Sequence, residues 1–215
     1  MSCSAAVPTI HSAGRHRYSF LWLSVKEFHL WLRSGGFWLA LAAMHVWGLP
    51  WRSVTPILTS QDVAWQLLAD GLSFGGLIVL FASAAAMRRD RGSQAREWVD
   101  SLPVSNTQWV TARWLGGFLA WGLAGLELFL VATLFQAGQG DAPVQGSVLA
   151  AFYAGHYLPA VTLLHSLGTL LGAVPLPPLL TYGLIPVVWA LTAMPLSPVT
   201  PYLPAAGAAL PAGVP

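Results

Sequence analysis

Two carboxylates, two histidines and one arginine-rich loop are the residues of this chain whose types could do chemistry. Asp70 and Glu127 each interrupt a long apolar stretch. An ionisable group at membrane depth is costly and usually meets a substrate, an ion or a polar partner. Asp70 stands six residues past Ala64, near the start of its stretch, where it is expected to reach the interface. Glu127 stands 14 residues past Arg113, about 21 Å along a helix, and is the better candidate for a polar contact inside a bundle. His156 and His165 are nine residues apart, which places them on opposite faces of one helix, unable to share a metal through it. Glu127 facing either histidine would define the alternative reading, an integral membrane enzyme or other polytopic membrane protein with a polar site around that carboxylate.

Motifs for common chemistries are missing from the sequence. There is no HExxH and no GxSxG, and the single cysteine, Cys3, excludes an internal disulfide or a cysteine-based metal cluster. The only lysine, Lys26, follows SFLWLSV, so the GxxxxGK[ST] phosphate loop cannot be formed. The chain is therefore expected to carry no catalytic residue, metal or cofactor of its own. Any nucleotide that drives it binds elsewhere. No nucleic-acid partner is expected.

The elements that must position these residues are membrane helices. Of 215 residues, 55% are hydrophobic and only 8% charged, with a mean hydropathy of +0.61. From Ala142 to Pro215, 74 residues pass without Asp, Glu, Lys or Arg; no water-facing surface can be built that way. The expected fold is an all-α, polytopic transmembrane bundle. Its five spans are the uncharged stretch Ser34–Trp51 and then Trp65–Met87, Trp109–Gln136, Ser147–Gly172 and Leu179–Met194. The proline hinge Ala173–Pro178 separates the last two. A sixth span or a re-entrant piece has to come from residues 195–215, which hold six prolines. The N-terminal residues 1–16 are read as disordered, and 37–194 as the transmembrane domain.

Residues 17–34 have helical periodicity. Leu21, Val25, Phe28 and Leu32 share one face, and Ser19, Lys26, His29 and Arg33 the other, the pattern of an amphipathic helix lying in the headgroup plane. Placing the N-terminus and the loop after the second span on one side gives that side nine basic residues and the other side only Arg52. By the positive-inside rule the basic side is cytoplasmic, in a multi-pass cell-membrane protein.

That loop, within 88–109, subdivides. Arg88, Arg89 and Arg91 follow the second span, where they can meet anionic headgroups. From Ser93 a short helix is expected, with Ala95, Trp98, Val99 and Leu102 on its apolar face and Arg96 paired with Asp100. Pro103 ends it. Ser105 and Gln108 form a capping box that opens the third span. The plainer reading of the same residues is an ordinary solvated loop.

The run RDRGSQAREWVDSLPVSNTQWVTARWL resembles the loop between the second and third spans of ABC-2-type transporter permeases. Ser101, Leu102, Pro103, Val104 and Ser105 are its most distinctive matches, and Arg91, Gly92, Glu97 and Arg113 support them. The preceding amphipathic helix with Lys26 and Glu27 matches the family layout too. The resemblance implies that the loop helix docks on a separately encoded ATP-binding subunit. Ser93, Arg96, Glu97, Trp98, Asp100, Ser101, Leu102 and Pro103 would then be the contact residues, with ATP and Mg bound by the partner. It also implies pairing with a second permease chain, the same or different, in a bacterial inner membrane, and export as the direction of transport.

Overall fold

Segments this apolar satisfy their backbone groups internally as helices, and among the described residues all regular structure is helical. The computed structural model describes residues 13–48, 59–89, 105–139 and 142–193. The N-terminal segment before Ala13, the loop helix and the proline-rich tail lie outside them.

Helix α1 is Ala13–Arg33 and α2 is Gly35–Gly48. Ser34 makes the corner, its hydroxyl accepting from the Phe37 amide at 3.2 Å. Helix α3, Ser60–Gln66, starts at a capping box in which Thr59 and Asp62 bond each other's backbone amides. A π-turn, Leu67–Gly71, leads from it into α4, Leu72–Arg89. Helix α5, Asn106–Gln139, opens with the expected box: the Ser105 hydroxyl accepts from the Gln108 amide and the Gln108 carbonyl from the Ser105 amide. Helices α6, Gly146–Phe152, and α7, Leu158–Ala173, are joined by a second π-turn, Tyr153–Tyr157. Its cause is local. Pro159 has no N–H to give Gly155, and the Leu158 amide bonds the Tyr153 carbonyl five residues back. Helix α8 is Pro178–Ala193.

Among the described residues, two helical stretches, Asn106–Gly138 and Gly146–Ala173, are long and apolar enough to cross a membrane. A third exists if Ser60–Ala69 and Phe74–Arg89, bent by 46°, form one broken span. This corrects the five spans read from the sequence. Helices α2 and α8 exist and are apolar, but have 14 and 16 residues, about 21 and 24 Å at 1.5 Å per residue, against a hydrocarbon core of roughly 30 Å. The expected fifth stretch, Leu179–Met194, already has only 16 residues, and the first reaches 18 by including Ser34 and residues 49–51, the latter outside the described residues.

The core sits where α4 packs on α7 and α1 on α5, the two most extensive helix pairs. Leu80, Ala84, Val161, Trp121 and Tyr157 are buried there. Glycines permit both approaches: a Cβ at Gly168 would lie 2.7 Å from the Leu80 carbonyl oxygen, and one at Gly116 2.8 Å from the Phe28 amide nitrogen. Large apolar side chains cover the outside as well. Leu123, Leu130 and Leu134 of α5 and Leu179 and Leu191 of α8 are all exposed, an apolar exterior compatible with a membrane protein.

Helix α1 meets the protein through a face that its apolar periodicity does not mark. Ser24, Glu27 and Trp31 are buried against α5, while Leu21, Trp22 and Val25 stay exposed. The apolar stripe looks outward and a mixed stripe makes the protein contact. Arg88 is likewise turned inward, not toward headgroups: its guanidinium donates to the Leu176 carbonyl at 2.9 Å and to the Thr181 hydroxyl, holding the proline hinge against the end of α4.

Candidate functional site

Among the described residues, Glu27 is the carboxylate that joins both edges of the polar loop. Arg89 ends α4 just before the loop and Arg113 lies in the second turn of α5 just after it. The Arg113 Nε–H donates to Glu27 Oε1 at 3.2 Å, and Arg89 reaches the same oxygen at 3.5 Å. Glu27 and Arg113 are both buried, while Arg89 is 47% exposed in its side chain. The Arg113 guanidinium also stands over the Trp109 ring, 4.6 Å from its centroid. Gly116, three residues past Arg113, is what lets the α1 backbone come close enough for a short glutamate side chain to reach.

One step deeper, a hollow of about 10 Å³ is bounded by Glu27, Arg113, Ser83, His165 and Thr169 among others, barely room for one water. His165 Nε2 lies 3.0 Å from the Trp114 carbonyl, which only accepts, so Nε2 carries the proton. Nδ1 then accepts the Ser83 hydroxyl at 2.7 Å. The serine–histidine pair that sequence reasoning did not find is therefore real, joining α4 to α7. It is sealed, with Ser83 1% and His165 2% exposed. Its chemistry is structural. Replacing Ser83 with alanine strands a buried acceptor and is expected to cost about 1–3 kcal/mol, read as a lowered thermal midpoint in detergent.

Glu127 finds a different histidine from either expected. Its Oε1 lies 3.1 Å from Nε2 of His45 on α2. His45 Nδ1 is 2.7 Å from the Leu41 carbonyl and donates to it. The Glu127 side chain is 43% exposed overall, yet Oε2 is buried and accepts no hydrogen bond from described residues. His156 is exposed beside the Trp65 and Phe152 rings, and His165 is occupied by Ser83 and Trp114. Glu127 bonds neither.

Of the remaining expected positions, Asp70 has its backbone in the first π-turn. Ser93, Arg96, Glu97, Trp98, Asp100, Ser101, Leu102 and Pro103 lie outside the described residues. Among the described residues, no group of three or more His, Cys, Asp or Glu side chains could hold a metal. Sequence reasoning missed Glu27 and His45 as partners. A signal existed for Glu27, since Ser24, Glu27 and Trp31 follow a +3, +4 spacing that marks a single helix face.

No protein-family model, curated protein or solved structure matches this chain.

Proposed function

We propose that this chain is the membrane-spanning permease subunit of an ABC-2-type transporter, working with a second permease chain and a separately encoded ATP-binding subunit that binds ATP and Mg. It moves its substrate outward across a bacterial inner membrane, with its N-terminus and the Arg88–Arg113 loop cytoplasmic. What carries the reading is the SLPVS-containing loop together with the Glu27 bridge between Arg89 and Arg113. A force applied to that loop by a partner reaches α1, α4 and α5 through one carboxylate, without waiting for local deformation to spread. The basic side of the chain, with nine cationic residues, supports the orientation.

The docking assignment is tested by co-expressing the chain with a candidate ATP-binding subunit and replacing Glu97 and Trp98 with alanine. An aromatic anchor at a protein interface is worth about 2 kcal/mol on truncation, so Trp98→Ala is expected to weaken assembly roughly thirtyfold. ATPase stimulation falls with it. Full assembly and full stimulation in both variants would remove the docking assignment.

A second reading is favoured by one observation, the 3.1 Å contact between Glu127 and His45 within apolar helices: an integral membrane enzyme or other non-ABC polytopic membrane protein with a polar site around that carboxylate. The readings separate in Glu127→Gln, which leaves partner-ATPase stimulation intact under the first and abolishes function under the second.

A further inference from the structure

A hollow lies where α1 turns into α2 beside α4. It measures about 310 Å³ and is half open to the outside. Trp31 and Phe37 form one wall, and Ala82, Ala85 and Ala86 the other. The hollow exists because three alanines face a helix corner: the chain turns away at Ser34, and nothing on α4 is long enough to fill the gap. A Cβ added at Gly36, which also lines it, would meet no atom within 4 Å.

Its two charged groups, Glu27 and Arg89, are at one end, and the Ser34 corner also lines it. Arg89 is the last residue of α4. Ala85 and Ala82 lie four and seven residues before it, about 6 and 10 Å along the axis. The hollow thus runs from headgroup level into hydrocarbon depth. The end at which it opens to charge belongs to the side that bears nine basic and four acidic residues, which attracts the anionic lipids of a cytoplasmic leaflet. An apolar recess facing hydrocarbon does not stay empty, because its lining gains contacts from any chain that enters. The volume is at the small end of the roughly 300–1,000 Å³ of ligand pockets, suited to part of one acyl chain and too small for a whole phospholipid.

We propose that this recess holds one acyl chain of an anionic phospholipid, with the phosphate at the Arg89 guanidinium. The inference rests on the basic side being cytoplasmic. The lipid fills the corner between α1, α2 and α4 and lies against Glu27, the residue that joins the two edges of the loop.

The test uses the full chain reconstituted with phosphatidylglycerol or phosphatidylcholine carrying a mid-chain diazirine. After irradiation, the labelled peptides are identified by mass spectrometry. Phosphatidylglycerol is expected to label peptides spanning 27–37 and 82–89, and phosphatidylcholine to label them roughly tenfold less. Ala85→Phe, at an exposed position, and Gly36→Leu, where there is space, fill the recess and are expected to reduce that labelling to a similar degree without lowering the melting temperature. Arg89→Gln is expected to erase the difference between the two lipids. Equal labelling by both lipids in the unaltered chain overturns the proposal, as does labelling unchanged by either filling substitution or confined to other surfaces. Partner-ATPase stimulation measured in the same samples separates the readings: if it persists while the lipid result is negative, only the lipid site fails.

Discussion

Glu27→Gln is expected to be among the most destabilising single substitutions in this protein. Arg113 is 5% exposed and its Nε–H is 3.2 Å from the Glu27 carboxylate. Removing one member of a buried ion pair leaves the other charge without its counter-charge, a loss of about 3–5 kcal/mol. The Arg89 contact adds little, because that side chain is half exposed and solvent screens it. Glutamine keeps an acceptor for Arg113 and removes the charge, so the variant isolates the electrostatic part. The measurement is thermal or denaturant unfolding in detergent, taken through a double-mutant cycle with Arg113→Gln. The double variant is expected to be more stable than the two single losses sum to, since neither charge is then stranded. Strict additivity would show that Glu27 and Arg113 do not depend on each other. If the bridge also transmits force, a stabilised Glu27→Gln protein that still assembles would show weakened ATPase stimulation.

Gly172→Leu is expected to separate α4 from α7, the most extensive helix pair of the fold. Even a Cβ at that position would lie 2.5 Å from the Ala84 carbonyl oxygen and 2.7 Å from the Met87 Cβ. Backbone cannot move aside as a side-chain tip can, so the helices must part. Gly172→Ala is expected to cost about 1–3 kcal/mol as simple overpacking, and leucine more, with the Ser83–His165 hydrogen bond lost as the interface opens. Gly168, one turn earlier, meets Leu80 and Ser83 in the same way. The control is Gly155→Ala, where a Cβ meets nothing within 4 Å; the helix-propensity difference predicts a gain of up to about 1 kcal/mol. Equal melting temperatures for Gly172→Ala and Gly155→Ala would contradict the packing account.

Much of the local structure was legible because its causes are local. The Ser105–Gln108 capping box needs only four consecutive residues, and forms as read. A Cβ at Gly116, Gly117 or Gly125 of α5 would collide with a neighbouring helix, while one at Gly122 makes only ordinary contact. Gly168 and Gly172, four residues apart in the charge-free third of the chain, are packed as closely and carry no signal that singles them out. The proline hinge was legible too and separates α7 from α8, but the number of spans was not, since an uncharged stretch does not by itself fix a helix long enough to cross a membrane.

The face of α1 that meets the protein was not legible in the sequence. The most apolar stripe of α1, with Leu21 and Val25, looks outward. In an apolar surrounding, burying leucine offers no advantage over leaving it exposed, so the inward face is chosen by polar groups that need a partner. The same physics explains Glu127. Its histidine was sought on α7 or the π-turn before it, because His156 and His165 share a long apolar stretch, but His45 on the shorter α2 is the one within reach.

The sequence alone determined the apolar, helical character of the chain, the concentration of charge around one loop, and the caps and breaks that divide the helices. These follow from properties summed over neighbouring residues. Only the tertiary structure decided that Glu27 would meet Arg113, 86 positions away, that Glu127 would meet His45, and that Ser83 would meet His165, both 82 positions away. Each of those contacts depends on a helix separation of a few ångströms, set by which glycines lie opposite which backbones, and such a distance is a property of two packed surfaces and not of either helix alone.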